Sequence, residues 1–290
     1  MIYVIMGPTA SGKSSAAHAL AKHFSCPIIN ADAFQIYRGM DIGTNKVSKD
    51  DECYKNYYLL DILDPDKTYS VMEYQKDFRE TINKLLKQYQ NIVVCGGTGL
   101  YIRAATYDYE FRNEDEVDET FDELSNEKLH SLLEKLDAKE AEKIHQNNRK
   151  RMIRAINLIS KAGESKSSLI DKQEHKPIYS SEEIKYLFIN PNREQLYESI
   201  NLRVEEMFDN GLVDEVKGLL DKYNLSLTAR QGIGYKEVIS YLNGEISLEE
   251  CKELIKKRTR NYAKRQVTFF RHQFEYQEFV SYESLIESYK

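Results

Sequence analysis

The residues Gly7-Pro8-Thr9-Ala10-Ser11-Gly12-Lys13-Ser14 spell G-x-x-x-x-G-K-S, between an apolar run at 2–6 and a helical pattern opening near residue 14. Such a loop curls its backbone N–H groups around an anion, and the helix N-terminus behind it adds partial positive charge. The Lys13 ammonium reaches outlying phosphate oxygens, and the Ser14 hydroxyl is placed to hold Mg²⁺. The loop therefore expects a ligand carrying two or more phosphates. Asp32 closes a second apolar run at 27–31 and brings a carboxylate to the same end of the chain fold. It would bind Mg²⁺, act as a general base, or close an Asx turn, and spacing leaves all three open. Gly96-Gly97-Thr98-Gly99 offers another site of close backbone approach, which an ordinary glycine turn also explains. Arg203 reads equally as a phosphate clamp or as a helix surface charge.

Two basic clusters stand apart from the loop. Arg149-Lys150-Arg151-Met152-Ile153-Arg154 alternates cations with apolar residues at helical spacing. The second is 258–266, in and around which the basic positions Lys257, Arg260, Lys264 and Arg271 lie near one helix face with tyrosine and phenylalanine interleaved. Each is either a solvated helix face or a backbone-binding surface for RNA.

The elements that must position these groups follow from periodicity. Five apolar runs, at 2–6, 27–31, 58–63, 91–95 and 185–190, read as buried strands. Helical patterns at 14–24 and 71–90 connect them, which predicts an α/β fold with a parallel sheet covered by helices on both faces. Ligands of such sheets bind beyond the carboxyl ends of the strands, where the loop 7–14, Asp32 and the turn 96–99 converge. Residues 1–109 and 185–290 are expected to form this core with C-terminal helices at 194–210, 212–223, 235–243 and 247–271. Residues 110–184 read as an inserted helical domain, acidic at 110–122, helical at 128–159 and polar at 161–176.

Composition narrows the setting. The 290 residues are 41% apolar and 30% charged, ordinary for a globular protein, and no run approaches the length of a membrane span. Four cysteines without C-x-x-C spacing fit reduced thiols in the cytoplasm. With a core strand at the start no signal peptide is expected, and nothing demands more than a monomer. The net charge of −6 excludes a uniformly basic nucleic-acid binder but hides an asymmetry. Residues 254–273 carry seven basic residues and no acidic one, whereas 110–127 carry nine acidic and one basic. Screening confines each patch to about 10 Å, so one face suffices for RNA.

Taken in order, GPTASGKS at 7–14, DAFQIYRGMDIGT at 32–44, GGTGLYIR at 96–103, HQNNRKRMIRAI at 145–156, IGYKE at 233–237 and YAKRQVTFFR at 262–271 resemble the bacterial tRNA dimethylallyltransferases, also called tRNA isopentenyltransferases. The resemblance spans nearly the whole chain. It implies a P-loop NTPase-like core and transfer of a dimethylallyl group from dimethylallyl diphosphate to N6 of the adenine at position 37 of tRNA, beside the anticodon. Gly7, Pro8, Thr9, Ala10, Ser11, Gly12, Lys13 and Ser14, with Arg203, would then hold the donor's diphosphate, not ATP. Asp32 would be the base on N6, Thr9 and Arg203 would assist the departing diphosphate, and Mg²⁺ would be required, with Ser14 as its ligand. The residues expected against the tRNA anticodon stem-loop are Asp32, Ala33, Phe34, Gln35, Thr98, Lys150, Arg151, Arg154, Arg260 and Lys264. This chain departs from the family pattern where Asp32-Ala33 replaces Asp-Ser, where Tyr57-Tyr58 replaces His-His, and where a customary tryptophan gives way to Phe269 or Phe270. An arginine usual after the Gly-Gly-Thr turn falls in the acidic stretch near Asp118.

Overall fold

The computed structural model describes residues 1–109, 121, 123–162 and 176–289. The expected acidic stretch at 110–122 (with Asp118) falls almost wholly outside them, Phe121 excepted, and so does most of the polar stretch at 161–176. The chain divides into two compact units, Met1–Thr106 with Tyr179–Lys290, and Tyr107–Ile178.

The larger unit is built on six parallel strands in the order β3-β2-β4-β1-β5-β6. They are β1 (Ile2–Met6), β2 (Ile28–Asn30), β3 (Tyr57–Tyr58), β4 (Ile92–Gly96), β5 (Ile184–Ile189) and β6 (Gln277–Phe279). β1 and β4 are buried at every residue, as strands covered on both faces must be. Alternation sorts them: Tyr3, Ile5, Leu187 and Ile189 pack with Ala16, Ala17 and Leu20 of α1 (Lys13–Phe24) on one face. On the other, Phe188 meets Phe270.

Of the expected strands, four recur within a residue or so of their predicted limits, but 58–63 shrinks to Tyr57–Tyr58. Leu59 at φ 57° and Asp61 at φ 52° turn left-handed, which ends pairing in a run that is apolar enough to be a strand. β6 was not anticipated, because Gln277-Glu278-Phe279 is mostly polar and exposed. The helix α2 (Val71–Leu85) is closed at its start by a capping box of Ser70 and Glu73 and buries Tyr74, Phe78, Ile82 and Leu85 along one stripe. After β4 comes α3 (Gly99–Thr106).

Downstream of β5 lie α7 (Arg193–Asp209), α8 (Leu212–Lys222), α9 (Leu227–Arg230), α10 (Tyr235–Leu242), α11 (Leu248–Gln273) and α12 (Tyr282–Glu287). Val204 and Met207 of α7, Val216 and Leu219 of α8, Val238 of α10 and Ile255 of α11 form a core with Ile36, Tyr37 and Met40. This second core fixes the segment that follows Asp32. Among the described residues no helix is long and apolar enough to cross a membrane.

The smaller unit holds α4 (Asn126–Leu136), α5 (Ala138–Lys143) and α6 (Arg149–Ala162), three helices over the stretch 128–159 whose sequence pattern is helical. Asp137 breaks that pattern, its side chain accepting from the Glu140 N–H to cap α5. Leu129, Leu133, Met152, Ile153 and Ile156 make the core of this unit.

Candidate functional site

The loop after β1 is an anion cradle by construction. Gly12 takes φ 86°, a left-handed turn that brings the chain into α1. α1 begins with no side-chain cap and no acidic residue in its first turn, so its leading amides are left for a ligand. Lys13 bends back, its Nζ donating to the Pro8 carbonyl at 2.6 Å. Burial pushes the Lys13 ammonium down to about 8, against the pull of Cys95 and Asp32. From α7, Arg203 Nη1 donates to Thr9 Oγ1 at 2.9 Å. Its Nε is buried without a partner, as is Ser11 Oγ in the loop itself. Burial lowers Arg203 to about 10, with Asp32 and Glu206 opposing. A buried guanidinium N–H aimed at nothing costs roughly 1–3 kcal/mol or more, and an incoming anion would satisfy it.

Across the cavity, Asp32 is held from several sides. Its Oδ1 accepts from the Phe34 N–H at 2.9 Å, an Asx turn. Its own N–H donates to Asn30 Oδ1 at 3.1 Å. Asn30 is buried at 1% exposure, low enough that every polar atom needs a partner. It donates to the Leu59 carbonyl at 2.9 Å, and its own carbonyl accepts from Tyr74 Oη. The left-handed turn at Leu59 thus serves the site by presenting that carbonyl. The Ala33 N–H donates to Thr98 Oγ1 at 3.0 Å, so the turn after β4 braces the residue after the carboxylate. Gly96 is needed here, since a Cβ would sit 2.1 Å from the Ala31 carbonyl oxygen.

Gln266 of α11 ties the two ends together. Its Oε1 accepts from the Thr9 N–H at 2.9 Å and its Nε2 donates to the Gly97 carbonyl at 2.8 Å. Tyr262, one turn earlier, stays a neutral phenol because burial, and then the Asp32 charge, push it above its ordinary value. The segment 41–43 is clamped by one carboxylate: Glu215 accepts from the N–H groups of Asp41, Ile42 and Gly43 and from Tyr235 Oη.

Several of these groups line a cavity of about 280 Å³. Thr9, Lys13, Asp32, Arg203, Arg265 and Gln266 are polar contributors; Ile200, Val204, Met207, Ile233 and Ile255 supply an apolar wall. A carboxylate, an anion cradle and an apolar wall in one chamber suit transfer of an apolar group from a phosphate leaving group to a nucleophile.

Of the residues predicted from sequence, Thr9, Lys13, Asp32, Phe34 and Arg203 line this chamber. Ala33 and Thr98 adjoin it through their mutual hydrogen bond. Gly7, Pro8, Ala10, Ser11, Gly12 and Ser14 complete the loop, with Ser14 exposed. Gln35 turns its amide to the Thr44 carbonyl. Arg260 is engaged with Asn201 Oδ1 at 2.6 Å, and Lys264 is exposed on the same helix. Lys150, Arg151 and Arg154 are exposed on α6 of the smaller unit. Arg149 is structural, donating to the carbonyls of Leu124 and Phe121. Asn30, Glu215, Tyr235, Tyr262 and Gln266 were not singled out from sequence. For Tyr262 and Gln266 a signal existed, since they continue a helical stripe from Thr259 within YAKRQVTFFR.

A family model described as IPP transferase matches residues 35–273. A tRNA dimethylallyltransferase from Bacillus mycoides is 38% identical over 281 residues, covering 94% of this chain and 88% of that protein. Among solved structures, the tRNA delta(2)-isopentenylpyrophosphate transferase of Staphylococcus epidermidis is 35% identical, with a TM-score of 0.72 over 99% of this chain and 96% of that one. A eukaryotic dimethylallyltransferase acting on tRNA has a TM-score of 0.80 at 24% identity, over 96% of this chain and 73% of that one, a likeness of fold.

Proposed function

This chain belongs to the IPP transferase family, and on that premise we propose that it transfers a dimethylallyl group from dimethylallyl diphosphate to N6 of the tRNA adenine at position 37. The products are N6-(dimethylallyl)adenosine in the tRNA and free diphosphate. One observation carries the chemistry: Arg203, bonded to Thr9 and with a buried Nε left open, shares a chamber with Asp32.

An exocyclic amine is a weak nucleophile because its lone pair is delocalised into the ring. Asp32 accepts a hydrogen bond from N6, orients it, and takes its proton as the new C–N bond forms, a contribution of about 10²–10⁴-fold. The allylic C–O bond breaks on the opposite side, and its electron pair leaves with the diphosphate. Loop amides, Lys13 and Arg203 face that growing charge, and one preorganised donor of this kind is worth roughly 3–4 kcal/mol. Several such donors act on the diphosphate together, so leaving-group stabilisation outweighs base catalysis. The apolar wall of Ile200, Val204 and Ile255 keeps water from the electron-poor carbon.

Among the described residues no group of three or more His, Cys, Asp or Glu side chains could hold a metal ion by itself. Mg²⁺ would be held by Ser14 Oγ, a hard oxygen ligand of the kind that ion takes. Bound there, Mg²⁺ would offset charge on the leaving group.

The adenine must leave its stack to reach Asp32, at a cost of a few kcal/mol. Phosphate contacts from exposed cations such as Lys150, Arg151 and Lys264 offset it. Accordingly tRNA affinity should fall steeply between about 50 and 200 mM salt, by filter binding; a flat dependence would remove these cations from the interface. The deciding assay combines the protein, unmodified tRNA, Mg²⁺ and labelled dimethylallyl diphosphate, with labelled ATP as the alternative donor. Label from the prenyl donor in RNA without ATP turnover is the expected result. ATP consumed with a small hydroxyl acceptor, and no label in RNA, would make the chain a kinase.

A further inference from the structure

A second cavity of about 630 Å³ adjoins the reaction chamber. Its walls are charged: Lys46 spans Asp41 at 2.7 Å and Asp61 at 2.6 Å, and Glu206 of α7 and Asn210 just beyond that helix also line it. A space of that size with polar walls suits water. Among the described residues Arg203 and Met207 line both cavities. The rest of the partition is the strip 42–45, where Gly43 and Thr44 face the chamber while Ile42 and Asn45 face the polar side. Glu215 fixes that strip through the N–H groups of Ile42 and Gly43, at 2.6 and 3.2 Å.

The geometry points to Met207 as a water seal that selects the adenine amine over water as the acceptor of the prenyl group. This inference rests on the function proposed above. Arg203, the other shared residue, is committed to Thr9 and to the leaving group. Met207 follows four positions later on α7, about 6 Å along the helix axis. A dimethylallyl chain is only four carbons end to end, so a donor held at Arg203 keeps its whole allylic system beside the wall to which Met207 belongs. The unbranched thioether is apolar and adaptable, suited to closing an irregular gap without a hydrogen bond of its own. With the side chain shortened, water from the polar cavity reaches the allylic carbon. Its oxygen forms the new bond to carbon, the C–O bond to diphosphate breaks, and the surplus proton passes to solvent. Dimethylallyl alcohol and diphosphate are then released in place of modified tRNA.

The test is a product ratio, which a general loss of packing does not move. Full-length protein, tRNA and dimethylallyl diphosphate labelled at C1 are mixed, and labelled alcohol is counted against labelled tRNA. Met207→Ala is expected to raise alcohol per transfer at least about tenfold, the scale of a one-methylene change in a pocket. Met207→Val should fall between, and the volume-conserving Met207→Leu should match the parent. An unchanged ratio in both Met207→Ala and Met207→Val would overturn the seal, as would loss of transfer without alcohol in both. Should Met207→Ala not fold, Met207→Val decides. If the parent protein labels no tRNA at all, the proposed function itself fails and the seal falls with it.

Discussion

The two ends of the reaction chamber are built on opposite plans. At the anion end, polar groups are left wanting: Arg203 Nε and Ser11 Oγ are buried without partners, and Lys13 is turned back on Pro8 with its charge disfavoured. At the base end the groups around Asp32 are bonded to one another, through Asn30, Phe34, Leu59, Tyr74, Ala33 and Thr98. The difference follows from what each end meets. A diphosphate arrives with many lone pairs and gains charge as the bond breaks, so unmet donors are stabilised only when it is present. A base must hold one proton acceptor in one place before anything arrives, so its surroundings are satisfied in advance.

The comparison predicts unequal losses. Arg203→Ala should cost most, about 10²–10³-fold in the rate of single-turnover transfer, with weakened donor binding, because it removes the donor aimed at the leaving charge. A loss smaller than that of the Asp32 variant would reverse the ranking of the two ends. Asp32→Asn keeps an acceptor for the Phe34 N–H and so keeps the Asx turn. Turnover should fall by about 10²-fold, the low end of what a positioned base contributes and less than for Arg203→Ala, with tRNA and donor affinities nearly unchanged. Normal turnover would exclude Asp32 as the base. Asn30→Ala strips the Leu59 carbonyl and the Asp32 N–H of their partner. It should destabilise the fold by roughly 1–3 kcal/mol in denaturant titrations and slow transfer less than either change above. Unaltered stability would mean that the base end is not braced as described.

The same contrast explains what could be read from sequence. The anion end is a backbone device, local in the chain, and its glycines and lysine announce it within eight residues. The strands too are local, since burial on both faces leaves continuous apolar runs such as Ile2–Met6. The bracing of the base end is long-range. Gln266 meets Thr9 across 257 positions, and Glu215 reaches 41–43 across 172 to 174. No periodicity encodes such pairs, and a glutamine or glutamate on a helix looks the same whether it faces solvent or a backbone N–H. The run 58–63 misleads for a related reason. Its apolar residues fit a strand, yet Asp61 is spent on Lys46 and Tyr54, and Leu59 turns to serve Asn30. The basic helix α11 was legible as charge but not as use: Arg258 is paired with the buried Glu237, and Lys252 and Lys256 with Glu205.

The smallest effect tests the anion end through pH. Lys13 sits at about 8 in the free fold, against 10.5 for an ordinary lysine. Its charge is thus disfavoured by folding, a destabilisation fully present below about pH 8 and relieved as pH rises toward the unfolded value. Binding a diphosphate reverses the preference, because only the ammonium form pairs with phosphate oxygens. Donor affinity should therefore be level below about pH 8 and decline above it, while Arg203, at about 10, holds its proton throughout. The donor's own last ionisation, near pH 6 for a phosphate, is complete by then and does not blur the break. Between pH 7.5 and 8.5 the dissociation constant should rise about threefold by equilibrium dialysis, and Lys13→Met should abolish that slope. A slope that survives the substitution would assign the titration to another group and leave Lys13 a bystander at the anion end.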